Sequence, residues 1–214
     1  MDLLFMLLRG WVRGGLHRGY SSAPDQASIE SWQRIPQANG SMKVLLHFVV
    51  FQAAWFACVL GSKSTHPLLY PLIGFGAVLG MVIISKRFRS CFPFLLSSVI
   101  LGMVGDSLLV HLELLAFYAN PTVGGAPLWM IILWANFGLM LRSLFSWFLE
   151  NNTRSLLGFS IGGVIAYYSG WRLDALAFTS GWFSALAISI EWGIAGLVLR
   201  QVHLKYPKLT NESA

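Results

Sequence analysis

Residues 92–112 read FPFLLSSVILGMVGDSLLVHL, a run in which Asp106 is the one residue that carries a full charge. At about 1.5 Å of rise per residue, a helix of this length reaches across the roughly 30 Å hydrocarbon core of a bilayer. The basic group Lys86, Arg87 and Arg89 stands shortly before it, as is usual where a span meets the cytoplasm. The stretch therefore predicts a transmembrane helix that carries a costly buried carboxyl group.

The rest of the chain has the same character. Hydrophobic residues make up 56% of the 214 residues and charged residues only 11%, against about 25% charged residues in soluble domains. This composition excludes an ordinary soluble globular domain and predicts an all-α, polytopic bundle of about six transmembrane helices. The six apolar segments cover about residues 44–60, 68–85, 92–112, 128–148, 156–168 and 176–199.

The apolar pattern predicts one transmembrane helical domain over residues 42–200, followed by a polar tail over residues 201–214. Residues 1–41 are Arg-rich and then polar. We interpret them as an N-terminal extension, either disordered or upstream of a biological start at Met42. An amphipathic surface helix and an organelle presequence are the alternatives. The fifth segment is short and glycine-rich, so a re-entrant segment remains the alternative to a spanning helix there.

The distribution of Lys and Arg predicts the orientation in the membrane. One set of predicted loops holds only Lys63 and Arg172, whereas the loops and tails on the other side are basic throughout. Basic loops are retained in the cytoplasm, so both termini are expected there. The net charge of +6 follows from this topology, and no basic stripe interleaved with aromatic residues indicates nucleic-acid binding. The residues of the basic side are Arg34, Lys43, Lys86, Arg87, Arg89, Arg154, Arg200, Lys205 and Lys208.

Ionisable residues inside the apolar segments are the candidates for a functional site, because each costs about 2.5 to 3.5 kcal/mol at the centre of a spanning helix. Arg142 and Glu191 are predicted about 9 and 12 Å from the cytoplasmic ends of their helices. Since these depths are similar, we expect the two side chains to form an ion pair. Gln52 lies at a similar depth and His47 lies nearer the surface. The sequence thus predicts a polar layer in the inner half of the bundle.

Asp106 is predicted in the outer half, about 21 Å from the inner end of its helix. That distance is too large for direct contact with Arg142. The carboxyl group is therefore expected to be protonated or to face water, with Ser107 and His111 nearby. A hydrogen bond to a neighbouring helix and a functional role are both left open.

Small residues recur at four-residue spacing in two segments, as Gly76 with Gly80 and as Gly158 with Gly162, next to Gly163. In lipid such pairs let helix backbones approach closely, so they predict helix packing, with a flexible hinge as the alternative. The second pair also matches the G-x-S-x-G pattern of serine hydrolases. That chemistry needs a strand-to-helix turn, whereas a helix is predicted here.

Several short stretches form a recognisable combination. They are FQAAWFACV at 51–59, Gly105-Asp106, PLW at 127–129, LWA at 133–135, Ser143-Leu144 with Trp147, Gly162-Gly163, AYYSG at 166–170 and Arg172-Leu173. With these stretches, the chain from Met42 to about Leu199 resembles a family of bacterial inner-membrane proteins catalogued as domain of unknown function 2878. The resemblance implies a multi-pass protein of the bacterial inner membrane and supplies no established activity.

Three functional hypotheses remain open at this point. The first is an accessory protein or an enzyme that acts on membrane lipids or on a lipid-modification complex, with Asp106, Arg142 and Glu191 lining a cavity between helices. The second is a small proton-coupled transporter that uses Asp106 and Glu191 and forms a homo-oligomer to enclose a path. The third is a structural subunit that packs against a membrane-protein partner. No metal and no cofactor are expected, because the histidines lack ligand spacing and no phosphate-binding glycine loop is present.

Overall fold

A computed structural model describes residues 26–118 and 121–206, with side chains from Ser41 onward. The chain divides into two compact units, residues 1–43 and residues 44–214. The first unit is described only from Gln26, where helix α1 begins. The interpretation of residues 1–41 as an extension therefore falls largely outside the described residues and stays a prediction.

The described residues are mostly helical, so the predicted all-α character is confirmed. Six helices follow one another along them, joined by turns, four short strands and one 3-10 turn. The helices are α1 (Gln26–Gly61), α2 (Leu69–Ile84), α3 (Phe88–His111), α4 (Leu128–Leu144), α5 (Asn152–Arg172) and α6 (Trp182–Lys205). The strands are β1 (Leu115–Phe117), β2 (Thr122–Val123), β3 (Ala126–Pro127) and β4 (Leu176–Phe178), and the 3-10 turn covers Ser146–Leu149.

Three helices are long and apolar enough to cross a membrane, namely α3, α6 and the Ser41–Gly61 part of α1. Helices α2 and α4 are apolar but shorter. The outward sides of the helices carry large apolar side chains: Ile73 is 59% exposed, Ile190 55% and Ile100 48%. Apolar surface of this extent is typical of a face that contacts lipid or another protein. A membrane bundle agrees with these observations, and the number of six spans stays a prediction.

Helix α5 is longer than the segment predicted from the sequence. It begins at Asn152, where the side chain of Asn151 accepts a hydrogen bond from the Arg154 N–H (2.8 Å) and so caps the first turn. It continues without a break to Arg172, a length of about 30 Å. The glycines in its sequence therefore do not produce a re-entrant turn.

The second unit has two ends with different chemistry. At one end β1 pairs antiparallel with β4, and the Lys63 ammonium contacts the Asp174 carboxylate at 3.2 Å. We call this the strand end. At the opposite end α2 is followed by Lys86, Arg87 and Arg89, and α3 begins. We call this the basic end; the last turns of α4 and α6 also lie there.

Helix α4 forms the centre of the bundle, because every residue from Trp134 to Arg142 is buried. It packs closely on α3, and α5 packs closely on α6. Gly138 makes the first contact possible: a Cβ atom at this position would lie 2.6 Å from the Phe94 carbonyl oxygen and 2.9 Å from Leu95 Cα. A helix buried on all sides must satisfy every polar side chain that it carries within the protein.

Helices α4 and α6 also differ from their predicted boundaries. Helix α4 ends at Leu144, because the chain then turns into the 3-10 segment rather than continuing to Phe148. Helix α6 begins at Trp182, after strand β4, and extends past Leu199 to Lys205. Part of the predicted polar tail is thus helical, and both shifts change the depth of the polar residues on these helices.

Candidate functional site

Asp106 is completely buried on α3. Its carboxyl group accepts a hydrogen bond from Trp134 Nε1 on α4, at 3.0 Å from Asp106 Oδ2, and another from the Tyr167 hydroxyl on α5. One carboxyl group therefore joins three helices. Of the alternatives left open by the sequence, the structure shows the hydrogen bonds to neighbouring helices. Ser107 and His111 bond elsewhere, because His111 Nδ1 lies 2.7 Å from the Ser107 carbonyl and Ser107 Oγ donates to Val123 O (3.3 Å).

Glu191 on α6 reaches the same place from the other side. Its carboxylate lies against Gly105, where a Cβ atom would overlap Glu191 Oε1. Because Gly105 directly precedes Asp106, the two carboxyl groups are near enough to interact electrostatically. Both carboxylate oxygens of Glu191 are buried and accept no hydrogen bond from the described residues. The ion pairs of the described residues, Lys63 with Asp174 and Arg154 with Glu150, include neither carboxyl group.

Three aromatic rings pack together beside Asp106. Trp134 and Trp192 stack with ring centroids 4.3 Å apart, and the Tyr167 ring meets Trp192 edge to face at 6.2 Å. We refer to Asp106, Glu191, Trp134, Tyr167 and Trp192 as the carboxyl cluster. The facing sides of the two stacked indoles cover each other, so they offer no ring face to a ligand between them. Among the described residues, no three His, Cys, Asp or Glu side chains converge to hold a metal ion.

The predicted ion pair between Arg142 and Glu191 is wrong. Arg142 Nη2 donates to the Tyr206 carbonyl (2.7 Å) and Nη1 lies 3.4 Å from the Ser90 carbonyl, both at the basic end. Tyr206 follows Glu191 by fifteen residues, which corresponds to about 22 Å along α6. The error came from the helix boundaries: α4 ends earlier and α6 ends later than predicted, so Arg142 lies near an end of the bundle and Glu191 lies deep within it.

Gln52 and His47 are half-buried on α1. The hydrogen bonds that Asp106 accepts come from α4 and α5, so α1 supplies none of them. The single polar layer predicted from the sequence is thus replaced by two separate sites. One is the carboxyl cluster, and the other surrounds Arg142.

The predicted packing glycines divide into two groups. Gly158 and Gly163 lie against aromatic rings of the 3-10 turn and of α6, respectively. At Gly76, Gly80 and Gly162, a Cβ atom would meet nothing within 4 Å. These three glycines do not bring helices of this chain together, because they face away from the neighbouring helices. Their packing against a partner stays a prediction.

Sequence reasoning missed the aromatic partners of the carboxyl groups. Trp134 and Trp192 lie within apolar segments, away from the segment ends where tryptophan usually anchors a helix at the membrane interface. A buried indole N–H or phenol hydroxyl needs an acceptor, so Trp134 and Tyr167 within apolar helices were signals for an acid such as Asp106. Nothing in the sequence indicated which acid would meet which ring.

The family comparison covers most of the described residues. The family model described as "Protein of unknown function (DUF2878)" matches residues 44–198, a range that includes the carboxyl cluster and Arg142. No curated protein and no solved structure matches the chain. The predicted family resemblance is confirmed, and the chain belongs to the family of proteins of unknown function designated DUF2878.

Proposed function

We propose that this chain is an integral membrane protein that couples the binding of a proton at Asp106 and Glu191 to the transport of a small solute. In this proposal the six helices span the bacterial inner membrane and both termini lie in the cytoplasm. The observation that carries the proposal is that Glu191 lies against Gly105, next to the buried Asp106. Neither carboxyl group has an ion-pair partner among the described residues.

The membrane location is supported by three features of the described residues. Three helices are long and apolar enough to cross a bilayer. Large apolar side chains remain exposed on the outward helix faces. The basic end collects Lys86, Arg87 and Arg89, and the usual retention of basic loops supports a cytoplasmic location for this end.

A proton is the ligand that fits the carboxyl cluster best. Two carboxylates that share a buried site cannot both carry a negative charge at low cost, so they hold at least one proton between them. A larger cation would need a cavity or a free ring face, whereas Trp134 and Trp192 stack on each other. Buried acids in membrane helices commonly form proton pathways in pumps and transporters.

The cluster also offers a way to link the proton to helix movement. Trp134 and Tyr167 donate hydrogen bonds to Asp106, so Asp106 has more hydrogen-bond donors than Glu191 has. Glu191 packs on the backbone of Gly105 with no donor from the described residues. Release of a proton would leave a negative charge between α3 and α6, and these helices would separate or admit water to solvate it.

Membrane lipid modification is the second candidate function. The structure separates Arg142 from Asp106 and Glu191, so the single cavity lined by all three residues does not form. The observation that favours this candidate is the buried guanidinium of Arg142 at the basic end, because guanidinium groups bind phosphate well. A purely structural subunit would need neither the carboxyl cluster nor this guanidinium.

Charge movement after a pH jump tests the proposal without knowledge of the solute. The purified chain in proteoliposomes on a solid-supported membrane should give a transient current when the external pH is changed. Glu191→Gln should reduce the displaced charge about tenfold, because the amide cannot bind the proton. Glu113→Gln is the matched control, since this carboxyl group is exposed at the strand end, and it should keep the full signal.

Two results would contradict the proposal. The first is a wild-type protein that moves no charge after the pH jump. The second is a Glu191→Gln variant with an unchanged signal. A deletion strain with an altered lipid profile, combined with no pH-driven current, would support lipid modification instead.

A further inference from the structure

Arg142 is a buried cation with an incomplete set of partners. Its side chain is 4% exposed, lies over the Phe94 ring at 5.2 Å and contacts the Tyr206 and Ser90 carbonyl groups. Carbonyl oxygens and an aromatic ring carry partial charges only, so they do not neutralise the guanidinium. The Nε atom of Arg142 is buried and has no hydrogen-bond partner among the described residues.

Each acidic residue whose side chain is described either interacts with another group or lies away from Arg142. Asp106 and Glu191 belong to the carboxyl cluster. Glu150 pairs with Arg154. The remaining two, Glu113 and Asp174, lie at the strand end, after α3 and after α5. The part of the chain with described side chains therefore supplies no carboxylate to Arg142.

A second guanidinium lies beside the first. Arg87 Nη1 donates to Ser143 Oγ at 3.0 Å, and Ser143 is the residue next to Arg142. Arg87 is near enough to act electrostatically on Arg142. It also directly precedes α3, whose first turn has no side-chain cap. Two guanidinium groups and the positive end of a long helix thus meet in one place, where an anion would relieve their repulsion.

We infer that the basic end binds an anionic phospholipid, with its phosphate group between Arg87 and Arg142. Guanidinium groups form paired hydrogen bonds to phosphate oxygens. Exposed apolar side chains continue outward from the site for the acyl chains: Ile84 is 83% exposed, Phe92 47% and Phe88 37%. Basic sites between helices at the cytoplasmic surface commonly hold such headgroups.

This inference rests on the membrane location in the proposed function and is independent of the proton site. Inorganic phosphate shares the charge and the oxygen ligands of the headgroup but has no acyl chains. The exposed side chains of Ile84, Phe88 and Phe92 beside the site favour the lipid as the source of the phosphate. The two sources can be separated by competition.

Lipid titration of the full chain tests the inference. The delipidated protein in mild detergent is titrated with dioleoylphosphatidylglycerol and with dioleoylphosphatidylcholine, and the bound lipid is counted by native mass spectrometry. Phosphatidylglycerol should bind about tenfold more tightly. Arg87→Gln should weaken the binding of phosphatidylglycerol about tenfold, because a charge-assisted pair of hydrogen bonds to the phosphate is lost. Inorganic phosphate at equal concentration should displace little lipid.

Arg154→Gln is the matched control. It removes one positive charge, as Arg87→Gln does, but Arg154 already pairs with Glu150, so the lipid affinity should change less than about twofold. Arg142→Met is a second test variant and should weaken the binding of phosphatidylglycerol as strongly as Arg87→Gln does. If Arg142→Met does not fold, Arg87→Gln decides alone, since Arg87 is only half-buried.

Three outcomes would overturn the inference. Equal binding of the two lipids would exclude an anionic headgroup site. Equal losses in Arg87→Gln and Arg154→Gln would indicate general surface charge rather than a site. Complete displacement by inorganic phosphate at equal concentration would make a soluble anion the ligand. If the proposed membrane location is wrong, alkaline carbonate should release the chain from membranes. The Arg87→Gln variant should keep the transient current after a pH jump, because the lipid site is independent of the proton site.

Discussion

The carboxyl cluster and the basic end both bury ionisable side chains, but they stabilise them in opposite ways. Asp106 receives hydrogen bonds from the side chains of Trp134 and Tyr167, which belong to two other helices. Arg142 donates instead to main-chain carbonyl groups. The difference follows from depth. In the middle of a bundle the main-chain groups are already bonded within the helices, so side chains are the most readily available partners.

At a helix end the situation is reversed. The last carbonyl groups of a helix have no partner within it and carry a partial negative charge. Tyr206 follows the last residue of α6, and its carbonyl oxygen is the closer acceptor of Arg142, at 2.7 Å against 3.4 Å for Ser90 within α3. A basic side chain near the end of one helix can therefore be held by the end of another without any carboxylate.

The largest expected effect tests the side-chain partners in the carboxyl cluster. Asp106→Ala leaves the indole N–H of Trp134 and the hydroxyl of Tyr167 buried without an acceptor, which should lower the free energy of unfolding by about 3 kcal/mol. Asp106→Asn keeps one acceptor oxygen and should cost less. Unfolding in mixed detergent micelles measures both variants, and equal losses would show that the hydrogen bonds to Asp106 contribute little.

A smaller effect is expected where the aromatic stack of the cluster meets α5. A Cβ atom at Gly163 would overlap the Trp192 ring, so Gly163→Ala should cost about 2 kcal/mol through overpacking. The adjacent Gly162→Ala is the matched control, because that position faces open space, and it should be neutral or stabilising by up to about 1 kcal/mol. The same melting experiment compares them; similar losses in both variants would place Trp192 away from α5.

The smallest effect is expected at the basic end. Arg142→Met removes the contacts to the Tyr206 and Ser90 carbonyl groups, but these groups lie near a surface where water can replace the guanidinium. The free energy of unfolding should change by no more than about 1 kcal/mol, since exchange of a buried charge for an apolar side chain of similar size is often nearly neutral. A loss of about 3 kcal/mol or more in the same melting experiment would indicate a carboxylate partner for Arg142 after all.

The helical architecture could be predicted because apolar runs of spanning length have few other structures open to them. The two candidate sites could be predicted only in part. Asp106 and Glu191 could be identified as acids in apolar segments. The sequence predicted that Glu191 pairs with Arg142, whereas Glu191 lies against Gly105, next to Asp106. Each residue of error in a helix end shifts the estimated depth by about 1.5 Å, and the errors in α4 and α6 added together.

By itself, the sequence determined that the chain forms apolar helices, that a few of them carry ionisable residues, and that basic residues collect on one side. Hydropathy and charge are local properties of a segment, so they need no knowledge of its neighbours. Only the tertiary structure decided that Glu191 lies beside Gly105 and Asp106, that Trp134 and Tyr167 hold Asp106, and that Arg142 reaches Tyr206. These pairings depend on the rotation and the axial shift of each helix against the others, which packing between distant parts of the chain sets.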